Sequence, residues 1–189
     1  MTLPEIEIRL PDWIHQAVDF QRAYASDQER MAVAILLARQ NMLHETGGPF
    51  GAAIFEMASG RLVAVGVNLV VPLNNSVLHG EMVAFMMAQA RLGSYTLKSA
   101  SMPAHELVTS CDPCAMCLGA TLWAGVRRVV CGATRDDAAE IFFDEGPVFS
   151  ASWDYLAARG VDVTREVLRP EARAVLVEYA IQNGTIYNG

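Results

Sequence analysis

Positive charge is in short supply in this chain. Its 14 Lys and Arg face 21 Asp and Glu, for a net charge of −7 and a sequence pI near 5.0. Phosphate recognition needs clustered Lys and Arg, so this balance argues against nucleic acid as the main partner. Long apolar runs are missing too. The longest early one, Met31–Ala38, falls well short of the roughly 20 residues that span a bilayer, so no membrane partner is expected. The opening MTLPEIEIRLPDW has no basic start followed by an apolar core, and no signal peptide is expected. Cysteines number only four, all between 111 and 131. That is no disulfide framework; it is thiol usage suited to a reducing compartment, and a cytoplasmic location is expected. Repeats, low-complexity segments and linkers are absent as well. With 52% hydrophobic and 19% charged residues, disorder is excluded, and residues 1–189 are expected to form one domain with residues 1–25 as an N-terminal extension.

The chain does carry a regular succession of helix and strand signals. A short helix is expected around Trp13–Arg22. Ser26-Asp27-Gln28-Glu29 has the form of a capping box, and the apolar helix behind it, Met31–Met42, should end at the breaker Gly47-Gly48-Pro49. A hairpin follows, with strands over Pro49–Phe55 and Arg61–Val71 joined at Ala58-Ser59-Gly60. Leu78–Leu92 reads as a helix apolar on most faces, and His105–Ser110 and Arg127–Ala133 as strands with a helix from Cys114 between them. Thr134–Phe142 is expected to be helical, Phe143–Pro147 a sharp acidic turn and Val161–Leu168 a last strand. Pro170–Gln182 reads as a helix opened by Pro and closed at Asn183-Gly184. This alternation implies an α/β fold, a sheet with helices on its faces. It places the helix starts near His79 and Cys114 side by side at one edge.

The stretch that carries chemistry is Thr109–Ala120, TSCDPCAMCLGA, read with His79-Gly80-Glu81. Cys114 and Cys117 are three apart behind Pro113, which fits the first turn of a helix, so both sulfurs project from one face of a helix N-terminus. The partial positive charge there favours the thiolate. Two thiolates and a neutral imidazole neutralise Zn²⁺ and leave a fourth position open, as in a catalytic site, and His79 is the natural third ligand. Glu81, off the face that His79 shares, is placed to handle a water beside the metal. The duller alternatives are a closed structural zinc or, with Cys111 completing C-x₂-C-x₂-C, an iron–sulfur cluster. Glu81 has no purpose in either, and Cys111 lies on the strand side of Asp112-Pro113. Cys111 and Cys131 then read as small buried hydrophobes, and His15, His44 and His105 as surface or satisfied histidines.

H-x-E with P-C-x-x-C is the zinc deaminase signature. From Gly48 to Gly132, through GGPFGAAIF, HGE, TSCDPCAMCLGA and WAGVRRVVCGA, the chain resembles the cytidine and nucleobase deaminase superfamily. The resemblance implies a three-layer α/β/α sandwich with a central mixed sheet of about five strands. It makes His79, Cys114 and Cys117 the ligands of one Zn²⁺ per chain and Glu81 the proton shuttle. The family usually has Ala where this chain has Gly80, which costs a little helix stability and removes no chemistry. Asn68 could be no more than a turn-facing amide, and Phe50 plain core. The resemblance instead sets Asn68, Phe50, Ala52, Trp123 and Tyr187 around the substrate.

Thr134–Pro147, TRDDAAEIFFDEGP, with Tyr187 in the terminal IYNG, resembles the guanine deaminase branch. That resemblance implies an acid at Glu145 contacting the purine and a tail closing over a site. It also implies a homodimer in which residues 170–189 are exchanged. The alternative for Glu145 is a solvated acidic turn. The expected reaction is hydrolysis of a free nucleobase, guanine to xanthine and ammonia. Its rivals are a cytosine, cytidine or aminotriazine deaminase, a tRNA adenosine deaminase, and a zinc-stabilised binding module without chemistry.

Overall fold

The computed structural model describes residues 3–188; Gly189, the end of the tail singled out above, lies outside them. The capping box forms as written. Ser26 accepts from the Glu29 amide and Glu29 closes back on the Ser26 amide, opening α2 (Asp27–Leu43). Ahead of it, α1 is only Ile14–Ala17, shorter than the helix expected over 13–22. Asp19 ends it by accepting from the Gln21 and Arg22 amides, a local turn that competes with helix.

A five-stranded mixed sheet follows, in the order β2-β1-β3-β4-β5. β1 (Gly51–Glu56) runs antiparallel to both β2 (Leu62–Val67) and β3 (His105–Cys111), while β3, β4 (Arg128–Ala133) and β5 (Asp162–Thr164) are parallel. Strand alternation divides the core into two layers. Ala53, Phe55, Val108 and Val130 face α2 and α7 (Arg169–Ile181). Ala52, Ile54, Leu107, Val129 and Cys131 face the other side with Phe85 and Leu156, which come from α3 (Gly80–Leu92) and α6 (Ser150–Ala158). Helices cover both faces, so the strands are buried almost throughout and read as apolar runs. The expected three-layer sandwich is present.

Two details of the chain position the site. A Cβ at Gly66 would lie 2.1 Å from the Gly80 carbonyl oxygen and 2.3 Å from the Ala84 nitrogen. Glycine at 66 therefore lets α3 settle directly on β2. Second, β2 stops at Val67, four residues before the expected end, because the Asn68 side chain turns back to accept from the Val70 amide. The chain then loops to His79, the N-cap of α3. β3 likewise leads through Asp112-Pro113 to Cys114, the N-cap of α4 (Ala115–Ala124). The last strand is also shorter than expected, since Arg165 leaves the sheet to pair with Asp112. A short α5 (Arg135–Ala139) is held by a second capping box at Thr134 and Asp137. Helix α6 lies in a stretch that carried no strong sequence signal.

Candidate active site

The N-termini of α3 and α4 bring His79, Cys114 and Cys117 together, with their ligand atoms all within 4.8 Å of one another. Cys114 Sγ lies 3.4 Å from His79 Nδ1 and accepts from the Cys117 amide at 3.5 Å. Ligands at 2.0–2.3 Å around a tetrahedral zinc stand roughly 3.3–3.8 Å apart, so the donor set and its spacing fit that metal. The Cys114 thiol is held down to about 4 by hydrogen bonds from Cys117 and His79 that outweigh its burial, while Cys117 is pushed well up by that same bond and by burial. The cluster thus already shares one thiolate. Burial works against a charged His79, yet its bond to Cys114 and the nearby Glu81 still raise its pKa. Cys111 takes no part: its thiol faces the Thr134 carbonyl, and it is buried, as is Cys131.

Above the cluster is a narrow cavity lined by Phe50, Asn68, His79, Glu81, Asp112, Phe143, Asp144, Glu145, Tyr187 and Asn188, leaving about 30 Å³ free. That holds waters but not a bicyclic base, so a wall must move to admit one. Glu81 is 6% exposed, and burial, together with the Cys114 charge, raises its pKa to about 7. Glu145 is raised further, to about 8, by burial and by the charges of Cys114 and Glu81. The charge of a bound zinc opposes both shifts. Phe143 stands edge-on to Phe50 and to Tyr187, with centroids 5.0 Å away in each case. A larger hollow lies on the far side of Gly48, lined by Val71, Pro72, Tyr179 and Thr185 among others. It contains no metal ligand, and the chemistry belongs to the smaller cavity.

The model of the cytidine and deoxycytidylate deaminase zinc-binding region matches residues 24–133. The chain belongs to this deaminase family. Guanine deaminase of Bacillus subtilis (strain 168) is 39% identical over 116 residues, covering 61% of this chain and 70% of that protein. The solved structure of guanine deaminase from Nitrosomonas europaea superposes with a TM-score of 0.90 at 43% identity, covering 96% of this chain and 99% of that one. NE0047 in complex with 2,6-diaminopurine gives 0.89 at 46% identity, with 96% of both chains covered.

Within this deaminase the expected residues divide into two sets. The structure gathers His79, Cys114, Cys117, Glu81, Asn68, Phe50, Glu145 and Tyr187 around one cavity. Ala52 and Trp123 lie apart from that cavity. Ala52 is wholly buried in the core layer beneath α3 and offers no side chain to the cavity. Trp123 is 86% exposed on the outside of α4, whose inward residues are Cys117, Thr121 and Ala124. Gly80 leaves a Cβ 3.2 Å from the Phe50 carbonyl oxygen, tight but short of a clash.

Sequence reasoning missed Phe143, Asp112, Asp144 and Asn188. Phe143 and Asp144 stand in the acidic turn beside Glu145, but nothing in a turn signal says which way a side chain faces. Asn188 ties the tail down, accepting from the Asp144 amide at 2.9 Å and donating to the Phe142 carbonyl at 2.8 Å. Asp112 is paired through both oxygens with Arg165 and also accepts from the Arg135 amide. Its only sequence signal is an acid next to the ligand-bearing Pro113-Cys114. The Tyr187 hydroxyl is buried without a hydrogen-bond partner among the described residues. It nests against Gly48, where a Cβ would lie 1.9 Å from it.

Proposed function

We propose that this deaminase hydrolyses guanine to xanthine and ammonia, using one zinc per chain held by His79, Cys114 and Cys117. The observation that carries the reading is the Glu145 carboxyl group sharing a small aromatic-walled cavity with Glu81 and the metal cluster. Guanine presents a ring N–H beside its 2-amino group, two donors in a row, and a carboxylate is the acceptor that matches them. Cytosine offers an acceptor at the equivalent edge, which a carboxylate repels. The guanine deaminases among the relatives support the same substrate.

Zinc, when bound, supplies Lewis acidity and makes a water a competent nucleophile near neutral pH. Glu81 then does the proton work. It takes one proton from the water as oxygen bonds to the amino-bearing carbon and passes it to the neighbouring ring nitrogen, then takes the remaining proton from the new hydroxyl and passes it to the amine as the carbon–nitrogen bond breaks. Its place in the cavity beside His79 puts it within reach of both a water at the metal and the base. Asn68 keeps its oxygen turned to Val70, which directs its NH₂ toward a base carbonyl. Phe50 and Phe143 form the apolar walls, and Tyr187 closes the cavity from the tail.

The assembly we favour is a homodimer, supported by a mean hydropathy of +0.24 and by apolar side chains left in the open such as Trp123, Tyr95 and Phe149. Exchange of the segment 170–189 between the subunits belongs to that proposal; in the single chain the tail closes over its own cavity. No helix among the described residues is long and apolar enough to cross a membrane. Free thiols at the metal suit a reducing cytoplasm.

The deciding experiment measures ammonia release from guanine, cytosine, cytidine and aminotriazines, with and without zinc, for the wild type and Glu145→Gln. The substitution keeps shape but turns half of the acceptor into a donor, and losing a charge-assisted bond of about 1.5–3 kcal/mol should cost guanine turnover at least about tenfold. Zinc content should not change. Normal guanine turnover in the variant, or a wild type that prefers cytidine, would refute the assignment.

A further inference from the structure

In a chain this acidic, most cations are already engaged. Among the described residues every arginine but two is bonded to a carboxylate or, for Arg91 and Arg135, to main-chain carbonyls. The two left over are Arg127 and Arg159, and the chain's single lysine, Lys98, also has no carboxylate partner among the described residues. All three line one cavity of about 470 Å³, with Leu122, Val126 and Val161 as its apolar floor. That volume is within the ordinary range for small-molecule sites.

The cations are not there only to answer the helix ends. The C-termini of α4 and α6 do point this way, and each contributes about half a negative charge, roughly −1 against three cations. A surplus of about +2 remains. The nearest acid in sequence, Asp162, follows Val161 on β5 and by strand alternation faces the opposite side of the sheet. Its register partner Arg128 is directed there, to Asp27 and Glu106. The Arg159 guanidinium also lies 5.6 Å from the Tyr155 ring centroid, which limits its freedom. Two arginines and a lysine lining one cavity with an apolar floor match a doubly charged oxyanion attached to an apolar or planar body.

We propose that this cavity is a binding site for a small phosphate monoester, separate from the catalytic cavity. The two lie at opposite ends of β4, which begins at Arg128 beside Arg127 and ends at Ala133, where its carbonyl accepts from the Asp112 amide. Three cations are too few for a nucleic-acid backbone, whose binding by a molecule of net charge −7 would need a longer basic track. A free small phosphate is the better match.

The test uses the zinc-loaded full chain, with phenyl phosphate and inorganic phosphate as probes and backbone amide NMR as the readout. Saturable shifts should appear at Lys98, Gly125–Arg127 and Gly160, with phenyl phosphate about fivefold tighter than inorganic phosphate because of the apolar floor. Arg127→Gln combined with Arg159→Gln should weaken both probes by at least about tenfold, with guanine turnover and melting temperature unchanged. Arg9→Gln combined with Arg39→Gln, an equal loss of charge elsewhere, should leave affinity alone. Three results would overturn the proposal: shifts that stay linear in phosphate up to about 20 mM, as diffuse screening gives; equal weakening by Arg9→Gln combined with Arg39→Gln; or tighter binding of a single-stranded oligonucleotide than of phenyl phosphate.

Discussion

Residues 24–133, the span of the family match, and residues 134–188 build the same cavity in different ways. The first region contributes His79, Glu81, Cys114 and Cys117 from helix starts seated on a buried sheet, where the main chain itself sets the geometry. The second contributes Phe143, Glu145, Tyr187 and Asn188 from a turn and a tail. Side-chain bonds hold that turn and tail: Asn188 to the turn at 142–144, and Arg135 to the Gly146 and Val148 carbonyls. The metal cluster and proton carrier thus rest on regular structure, while Glu145 and Tyr187 rest on a turn and a tail held by side-chain bonds. A cavity of about 30 Å³ must open to take in a base.

The sharpest way to separate the regions is Glu81→Gln. It removes the proton carrier and leaves the three ligands, so turnover should fall by roughly 10²–10⁴-fold with zinc retained and substrate affinity nearly unchanged. Metal analysis beside single-turnover kinetics checks it. Should the variant lose zinc yet keep its rate per bound metal, Glu81 belongs with the ligands and the division drawn here fails.

Much of the first region was legible because its signals are local. The Ser26–Glu29 box and the spacing of the ligands each state a backbone geometry in a few residues, and the fold obeyed them, although Pro113 sits one residue ahead of the N-cap Cys114 and not in the first turn. Ala52 and Trp123 stand apart from the cavity for a physical reason. Which face a residue shows depends on what the rest of the chain packs against it, and neither strand alternation nor an apolar helix names the covering element. Asn188 and Asp112 were invisible because their partners, Asp144, Arg165 and Arg135, are distant in sequence. Helix α6 was missed too: its N-cap is Phe149, with none of the usual Ser, Thr or Asp.

A smaller effect is expected where the two regions touch. Gly48 belongs to the first and Tyr187 to the second, and a methyl at 48 would overlap the tyrosine hydroxyl at 1.9 Å and its ring carbon at 2.8 Å. Gly48→Ala should push the tail off the cavity, raising KM for guanine about tenfold while kcat and zinc content change little. Truncation before Thr185 should reproduce that pattern. If Gly48→Ala instead lowers kcat alone, Tyr187 contacts the reacting atoms and is more than a cover.

The smallest effect concerns what ties the second region together. Asp137 is buried; burial raises its pKa, but Arg169 and the Thr134 amide and hydroxyl more than reverse this, taking it from 3.8 to about 2. A carboxyl whose folded value is depressed adds stability that is complete above its unfolded value and disappears as pH falls through the folded one. The contribution should therefore be whole at pH 5–7 and lost between about pH 4 and pH 2. Since Arg169 and Arg173 are 40% and 45% exposed, the shift is discounted for solvent to about 1–2 kcal/mol. Asp137→Asn should then melt roughly 3–6 °C below the wild type at pH 7, a gap that closes toward pH 2.5. A gap that stays constant with pH would assign the loss to packing and not to charge. If KM for guanine rises at pH 7 along with the lower melting point, α5 and the turn behind it move as one unit, and this carboxylate, tied to Arg169 and Arg173, holds the second region in shape.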